Sequence, residues 1–296
     1  MMKDVQKGAC YAFISAVLFS TGGLFIKLIP WSGYAINSAR NLFAILMMIA
    51  YLCLRKKKPA FNKTVFWGAV AYAVTNTCFT LATKMTSAAN AIVLQFSAPI
   101  FIILIAWLIL KKRPGALEIR ACAVVFVGII CFFLDSLSLD GITGNVIALV
   151  SGISYAVYFS YKDLTHADYD SVLFYGQLIS IIVGLPALIT ESAITTQSVI
   201  YAAALGIFQM GLAFMLLSKA IELTSAITAS LISTIEPILN PILVAVFYGE
   251  TIGRLSFVGA TIVIVGIATY QVCSHRAVSG KDGKPDGKNS EAGASV

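Results

Sequence analysis

The sequence predicts an all-α integral membrane protein with ten transmembrane helices, laid out as two inverted five-helix repeats. Three observations predict it. The chain is 58% hydrophobic and only 12% charged, with a mean hydropathy of +0.87, a balance at which water is not the main solvent. Apolar segments of about 20 residues, the length that crosses a bilayer, follow one another with hardly a break. The second half of the chain also repeats the first in register.

In chain order the expected spans are 8–28, 33–54, 65–83, 86–110, 116–134, 142–161, 171–190, 198–219, 224–248 and 255–273. Basic residues precede the first, as in a secretory signal. It is too long for a signal's apolar region and no small-residue cleavage site follows, so it reads as a retained helix. The six cysteines, Cys10, Cys53, Cys78, Cys122, Cys131 and Cys273, fall within or at the ends of spans, with no C-x-x-C spacing and no histidine cluster. They read as buried apolar fillers, and no metal site is expected.

The formal net charge of +7 is explained by its placement. Seventeen of the 21 lysines and arginines fall on one set of loops and tails: Lys3, Lys7, the run from Arg55 to Lys58, Lys63, Lys111, Lys112, Arg113, Arg120, Lys162, Lys219, Arg276, Lys281, Lys284 and Lys288. Only Lys27, Lys84 and Arg254 fall opposite, and Arg40 lies inside a span. By the positive-inside rule both termini are cytoplasmic, in the cell's inner (plasma) membrane, and these charges orient helices instead of binding nucleic acid. Residues 1–7 form a short cytoplasmic N-terminus. The tail, 275–296, is rich in Gly, Lys, Asp and Ser and is expected to be disordered.

The internal repeat carries most of the information. TSAANAIVLQFSAP, ending at Pro99, lies over TSAITASLISTIEP, ending at Pro237, at an offset of 138. Thr86, Ser87, Ala88, Ala91 and Pro99 meet Thr224, Ser225, Ala226, Ala229 and Pro237. The register continues to Gly115 over Gly253 and to Val127–Ile129 over Val265–Ile267. Nearer the start, Gly8, Ala12 and Ser15 fall over Gly144, Ala148 and Ser151 at an offset of 136. The repeats span 8–135 and 141–274. Each has five spans, an odd number, so the second copy enters the membrane from the opposite side.

Pro99 and Pro237 are equivalent, so a helix distortion in the fourth and ninth spans is expected in both copies. The polar residues break this symmetry: Glu236 corresponds to Ala98, Asn240 to Ile102, and Ser233 to Gln95. Ser233, Glu236 and Asn240, at i, i+3 and i+7, share one helix face. An ionisable group at mid-bilayer costs roughly 2.5 kcal/mol or more and generally faces a bundle interior or wet cavity. Two readings of Glu236 stay open: a proton carrier or ligand for a cationic group, and a structural brace for the Pro237 kink. Asn76, Gln209 and Gln177 either face a cavity or bridge helices as polar glue. Ser15 and Ser151 are equivalent, one turn from the equivalent aromatics Phe19 and Tyr155, with Tyr158 one turn further. These line a cavity or simply pack. Lys27, Arg40 and Lys84 lie near outer span ends, where snorkelling to the interface is expected; attraction of an anionic substrate is the alternative.

The ten-span plan, Lys27 ending the first span, SARNLFAIL opening the second, TSAANAIVLQFSAPIFIILIAWLIL, and its partner ending in FYGE together resemble the drug/metabolite transporter superfamily in its EamA-type form. The likeness covers about residues 7–273. It implies a ten-helix inverted-repeat fold with a central substrate cavity, and transport of small polar or amphipathic metabolites, often amino acids exported from the cell. Glu236 with Pro237, and Glu250 ending the ninth span, fit the second-domain pattern. The first domain departs from it at Lys111–Arg113, where a Gly-Glu pair often stands.

An enzyme lacks its expected chemistry: the only histidines, His166 and His275, lie at span ends, and there is no HExxH or embedded Ser/His arrangement. A receptor or scaffold does not require a polar midplane between inverted repeats. With no GxxxxGK[ST] loop, energy must come from a gradient. These absences leave a secondary-active transporter, and the resemblance implies an exporter of a small polar or amphipathic metabolite, an amino acid or related compound, working by alternating access around a midplane cavity. The alternative is an uptake carrier for a cationic or amine metabolite. Its expected partners are a small-molecule substrate and the lipid bilayer, with coupling to protons left open by the sequence; no cofactor is expected, and a monomer or weak homodimer is.

Overall fold

The computed structural model describes residues 2–86, 88–111, 113–134, 141–165, 167–248 and 254–282. Among them every regular element is helical. The first apolar segment forms α1 (Met2–Phe19) and α2 (Gly22–Leu28), parted at Ser20 and Thr21. Next come α3 (Gly33–Leu54) and α4 (Lys63–Met85), then α5 (Ala88–Gln95) and α6 (Ala98–Leu108), parted at Phe96 and Ser97, then α7 (Ala116–Phe133). The second half has α8 (Ile142–Thr165), α9 (Tyr169–Ile189), and α10 (Thr196–Ala204), which runs through a π-helical segment (Leu205–Leu212) into α11 (Ala213–Leu223). Helices α12 (Ala226–Ser233) and α13 (Glu236–Tyr248) part at Thr234 and Ile235, and α14 (Arg254–Asp282) ends the described chain.

Short polar side chains start these helices where the backbone has spare N–H donors. Ser32, Asn62, Asp168, Thr195 and Ser225 each accept from the amide three residues on. Pro99 and Pro237 stand second in α6 and α13, where a missing N–H costs nothing, so both repeats break the helix in the turn before the proline. The break in the first span has no proline. It falls at Ser20 and Thr21, whose hydroxyls turn back to the carbonyls of Val17 and Leu18.

Among the described residues, six helical stretches are long and apolar enough to cross a bilayer: Asp4–Leu28, Gly33–Leu54, Lys63–Met85, Ile142–Tyr161, Tyr169–Ile189 and Thr196–Leu223. Ala98–Leu108 and Phe257–Tyr270 are shorter apolar helices. The radial distribution is inverted relative to a water-soluble protein. Leu46, Trp107, Ile182, Phe257 and Val265 lie on the outside, while Asn37, Arg40, Asn41, Asn76, Gln95, Gln209 and Glu236 are buried. The cysteines follow the same logic and correct the expectation of buried fillers. Only Cys122 is buried; Cys10 and Cys53 are exposed, and the other three are half-buried.

The two halves exchange equivalent contacts. Ser15 of α1 donates to the Ala213 carbonyl at 2.8 Å, and its equivalent Ser151 of α8 donates to the Thr75 carbonyl at 2.8 Å. Thr75 and Ala213 are themselves 138 residues apart. Gly8 sits against Leu223 and Thr224, and its equivalent Gly144 sits against Met85 and Thr86. Accordingly α1 packs on α11 and α4 on α8, while α3 meets α9 and α7 meets α14 across the halves.

Each end of the bundle is tied by polar contacts. At the basic end Lys57 bridges Asp168 at 2.6 Å and Asp170 at 2.7 Å, and Lys219 pairs with Glu222 at 2.8 Å. At the opposite end the Trp31 indole donates to the Ala193 carbonyl at 2.8 Å, the Ser32 amide to a Glu191 carboxylate oxygen at 3.1 Å, and the Lys84 ammonium to the Ile29 carbonyl at 2.9 Å. Helix α14 runs to Asp282, past the span end expected at 273. Ser87, Lys112, His166, Glu250, Gly253 and the tail from 283 to 296 lie outside the described residues.

Candidate functional site

A small polar cavity lies between the halves, lined by Phe19 of α1, Thr75, Asn76 and Phe79 of α4, Gln95 at the end of α5, Tyr155 of α8, Gln209 of the π-helical segment, Phe214 of α11, and Glu236 at the start of α13. Three interrupted helices contribute to it, and the interruptions bring polar groups to a wall that a regular apolar helix would seal. The cavity is about 20 Å³, enough for a water and too little for a metabolite.

Of the residues singled out from sequence, Phe19, Asn76, Gln95, Tyr155, Gln209 and Glu236 meet at this cavity. The others stand behind or beside it. Ser151 accepts from the Gln95 amide at 2.9 Å while donating to the Thr75 carbonyl, so it fixes a wall residue from behind. Ser15 is consumed by its bond to Ala213. Tyr158 does not line the cavity. Its hydroxyl meets Ser218 at 3.2 Å, and its ring packs edge-on against Phe159, Tyr169 and Phe214. Ser233, one turn before Glu236, is buried with its hydroxyl oxygen unpartnered. Asn240 lies against Gly23, where a Cβ would come within 2.6 Å of its amide nitrogen. Gln177 is buried in α9, outside the lining.

The expectation that Arg40 snorkels to the interface is overturned. Arg40 is 0% exposed. It is the eighth residue of α3, about 10 Å along the axis from the helix start, and its face turns inward. Its Nε and Nη2 donate to Asn37 Oδ1 at 3.2 and 3.0 Å, Nη2 also donates to the Asn76 carbonyl at 3.0 Å, and Nη1 donates to Gln209 Oε1 at 3.4 Å. The guanidinium is thus one layer behind two residues of the cavity wall. The sequence does hold a signal for this: Asn37, Arg40 and Asn41 sit at i, i+3 and i+4, one polar face on an otherwise apolar span.

Lys84 is tied to a backbone carbonyl, and Lys27 is exposed at the end of α2. Thr75, Phe79 and Phe214 are wall residues that sequence reasoning passed over. The repeat register could have found one of them, because Phe214 lies 138 residues after Asn76. Phe214 packs edge-on against Phe19 at 4.7 Å and Tyr72 at 4.7 Å, closing the apolar side of the cavity.

A separate cleft of about 250 Å³ opens at the basic end, between α6 and α7 of the first half and α8 and α12 of the second. Arg113 and Glu118 stand at its mouth; Ile102, the equivalent of Asn240, is at its apolar inner end.

Two successive stretches of the chain, residues 6–134 and 142–270, each match the EamA-like transporter family. An uncharacterized transporter of Clostridium kluyveri is 24% identical over 289 residues, covering 88% of this chain and 92% of that one. One of Archaeoglobus fulgidus is 23% identical, covering 89% and 96%. The uncharacterized inner membrane transporter YicL of Salmonella typhimurium is 24% identical, covering 93% and 98%. A crystal structure covering 92% of this chain and 99% of its own superimposes with a TM-score of 0.78 at 14% identity, a likeness of fold. With matches over both halves, an apolar exterior and a polar interior, the chain belongs to the EamA-like transporter family and is a multi-pass membrane transporter acting on a small molecule in a lipid bilayer.

Proposed function

We propose that this transporter is secondary-active and exports a small polar or amphipathic metabolite, an amino acid or a related compound, by alternating access between two inverted five-helix repeats. One observation carries the reading: the polar cavity is built by both halves at once, with Asn76 and Gln95 from the first and Tyr155, Gln209 and Glu236 from the second. A site shared between pseudo-equivalent halves changes its exposure when they rock, which is the geometry alternating access needs. The reciprocal contacts of Ser15 and Ser151, and of Gly8 and Gly144, support an inverted repeat, and the ten apolar segments in two family matches support ten spans. Charge placement supports cytoplasmic termini in an inner (plasma) membrane, so the 250 Å³ cleft at the basic end is the cytoplasmic entrance. The cavity of about 20 Å³ is then an occluded site that must widen to admit cargo.

A second reading, uptake of a cationic or amine metabolite, is favoured by Glu236, the one carboxylate among the lining residues. The test is a thermal-shift screen of purified protein against amino acids, polyamines, nucleobases and quaternary amines. Counterflow in proteoliposomes follows with whatever stabilises it. Stabilisation and counterflow by amino acids support the first reading. The same results with amines alone support the second, and loss of cell-loaded substrate against its gain separates export from uptake.

A further inference from the structure

We propose that Arg40 is the carboxylate anchor of this cavity, and that the substrate is a small carboxylate-bearing metabolite that displaces the Gln209 side chain from the guanidinium. The inference rests on the transporter reading above and names its substrate class. Every acceptor around Arg40 is neutral: Asn37 Oδ1 twice, the Asn76 carbonyl and Gln209 Oε1. Among the described residues no carboxylate lies within ion-pairing distance of it. A fully buried cation without a counter-ion is costly, and a purely structural brace between α3, α4 and the π-helical segment would be served at lower cost by a neutral side chain.

The weakest of the four bonds is the one to a cavity-lining side chain. Nη1 to Gln209 is 3.4 Å, long for a charged donor, while the three bonds to Asn37 Oδ1 and the Asn76 carbonyl are 3.0 to 3.2 Å. Gln209 is presented by a π-helical segment, a geometry that recurs at functional sites. Two glycines set its place. A Cβ at Gly206 would come within 2.4 Å of the Arg40 carbonyl, so glycine lets this segment press on α3; a Cβ at Gly22 would come within 2.8 Å of the Gln209 amide nitrogen. The amide oxygen therefore occupies the position a carboxylate oxygen would take on the guanidinium fork, as a weaker neutral placeholder that leaves and returns. Glu236, lining the same cavity, offers a carboxylate to the ammonium of a substrate that also carries an amine.

The test uses full-length protein in nanodiscs for binding and in proteoliposomes for counterflow. The probes are the common L-amino acids, each beside its decarboxylated amine and its amide. The wild type is expected to be stabilised by, and to exchange, one or more acids but not their amines or amides. Arg40→Lys keeps the charge and loses the fork, and should weaken binding of the acid at least tenfold. Gln209→Glu keeps the size and places a permanent carboxylate on Arg40, so it should raise the melting temperature while abolishing acid binding. That variant also keeps the proposal testable if Arg40→Lys fails to fold. A structural Arg40 predicts the same gain in melting temperature with acid binding retained within about twofold, which would overturn the anchor. Exchange of amines as readily as acids overturns the anchor and leaves the transporter reading standing. Absence of binding and exchange with every probe overturns both.

Discussion

At the residue scale, the wall of the cavity divides into groups that can titrate and groups that hold them. Glu236 lies at the helix break ahead of Pro237, where a proton carrier and a brace look alike in a static structure. Substitution separates them: Glu236→Gln keeps size and hydrogen bonding but cannot change charge. If Glu236 carries a proton, wild-type counterflow varies with pH, and Glu236→Gln folds as the wild type does but loses that variation. If it braces the break, Glu236→Gln matches the wild type at every pH, and Glu236→Leu lowers the melting temperature. A second expectation concerns Gly23. Gly23→Val pushes a branched side chain into the Asn240 amide and should cost about 1–3 kcal/mol by overpacking, read as a lower melting temperature. Pairing it with Asn240→Ala should recover part of the loss, a coupling that independent sites would not show. Which residues reach the cavity was legible where sequence chemistry and helix period agreed, as for Asn76, Gln95, Gln209 and Glu236. Distance from the span end points Arg40, seven residues inside a span, toward the interface. The polar face it shares with Asn37 and Asn41 turns it inward instead.

At the element scale, helix breaks position the site, and they were legible only where proline marks them. Pro99 and Pro237 announce the partings before α6 and α13. The parting between α1 and α2 and the π-helical turn at Gln209 have no such marker. The first falls where Ser20 and Thr21 bond back to the preceding turn, and at both places glycines, Gly22, Gly23 and Gly206, permit the close approach of a neighbouring helix. The ion pairs at the basic end were also beyond reach of the sequence, since Lys57 and Asp170 meet only through the fold. Burial alone would lower the Lys57 pKa, but hydrogen bonds to Asp168 and Asp170 outweigh it and hold the ammonium above its usual range. Burial likewise would raise Asp168, yet Lys57 and Ser171 hold it below the usual carboxylate range. The signs follow. The Asp168 contribution is present above its unfolded pKa of about 3.9 and is lost as pH falls through the lower folded value. The Lys57 contribution is present below about 10.4 and is lost as pH rises through the higher one. Lys57→Met should therefore lower the melting temperature at pH 7 by an amount equivalent to about 1 kcal/mol or less, because the pair is part-exposed and screened. Below about pH 4 that gap should narrow. A gap independent of pH from 3 to 7 would assign the loss to packing of the lysine stem.

At the scale of the whole molecule, the two ends differ. The basic end has a cleft of about 250 Å³, whereas at the other end Trp31, Ser32 and Lys84 tie the α2–α3 connection to the chain before α10 and to α4. Alternating access requires that this tied end open while the cleft closes, so a covalent tie there must stop transport without touching the cavity. Trp31→Cys with Ala193→Cys, in a background where the six native cysteines are serine, places two thiols across the contact that the indole now makes. A reducible bis-thiosulfonate reagent of short span should join them in the present conformation. Counterflow is expected to fall at least tenfold on cross-linking and to return on reduction, while each single-cysteine variant treated alike keeps its rate. The same reagent across the basic-end cleft, with Leu110→Cys and Ile227→Cys, should trap the opposite state and also stop counterflow. Undiminished exchange with the Trp31 and Ala193 positions joined would mean that this end never opens, and the rocking of two halves about a shared cavity would fall with it.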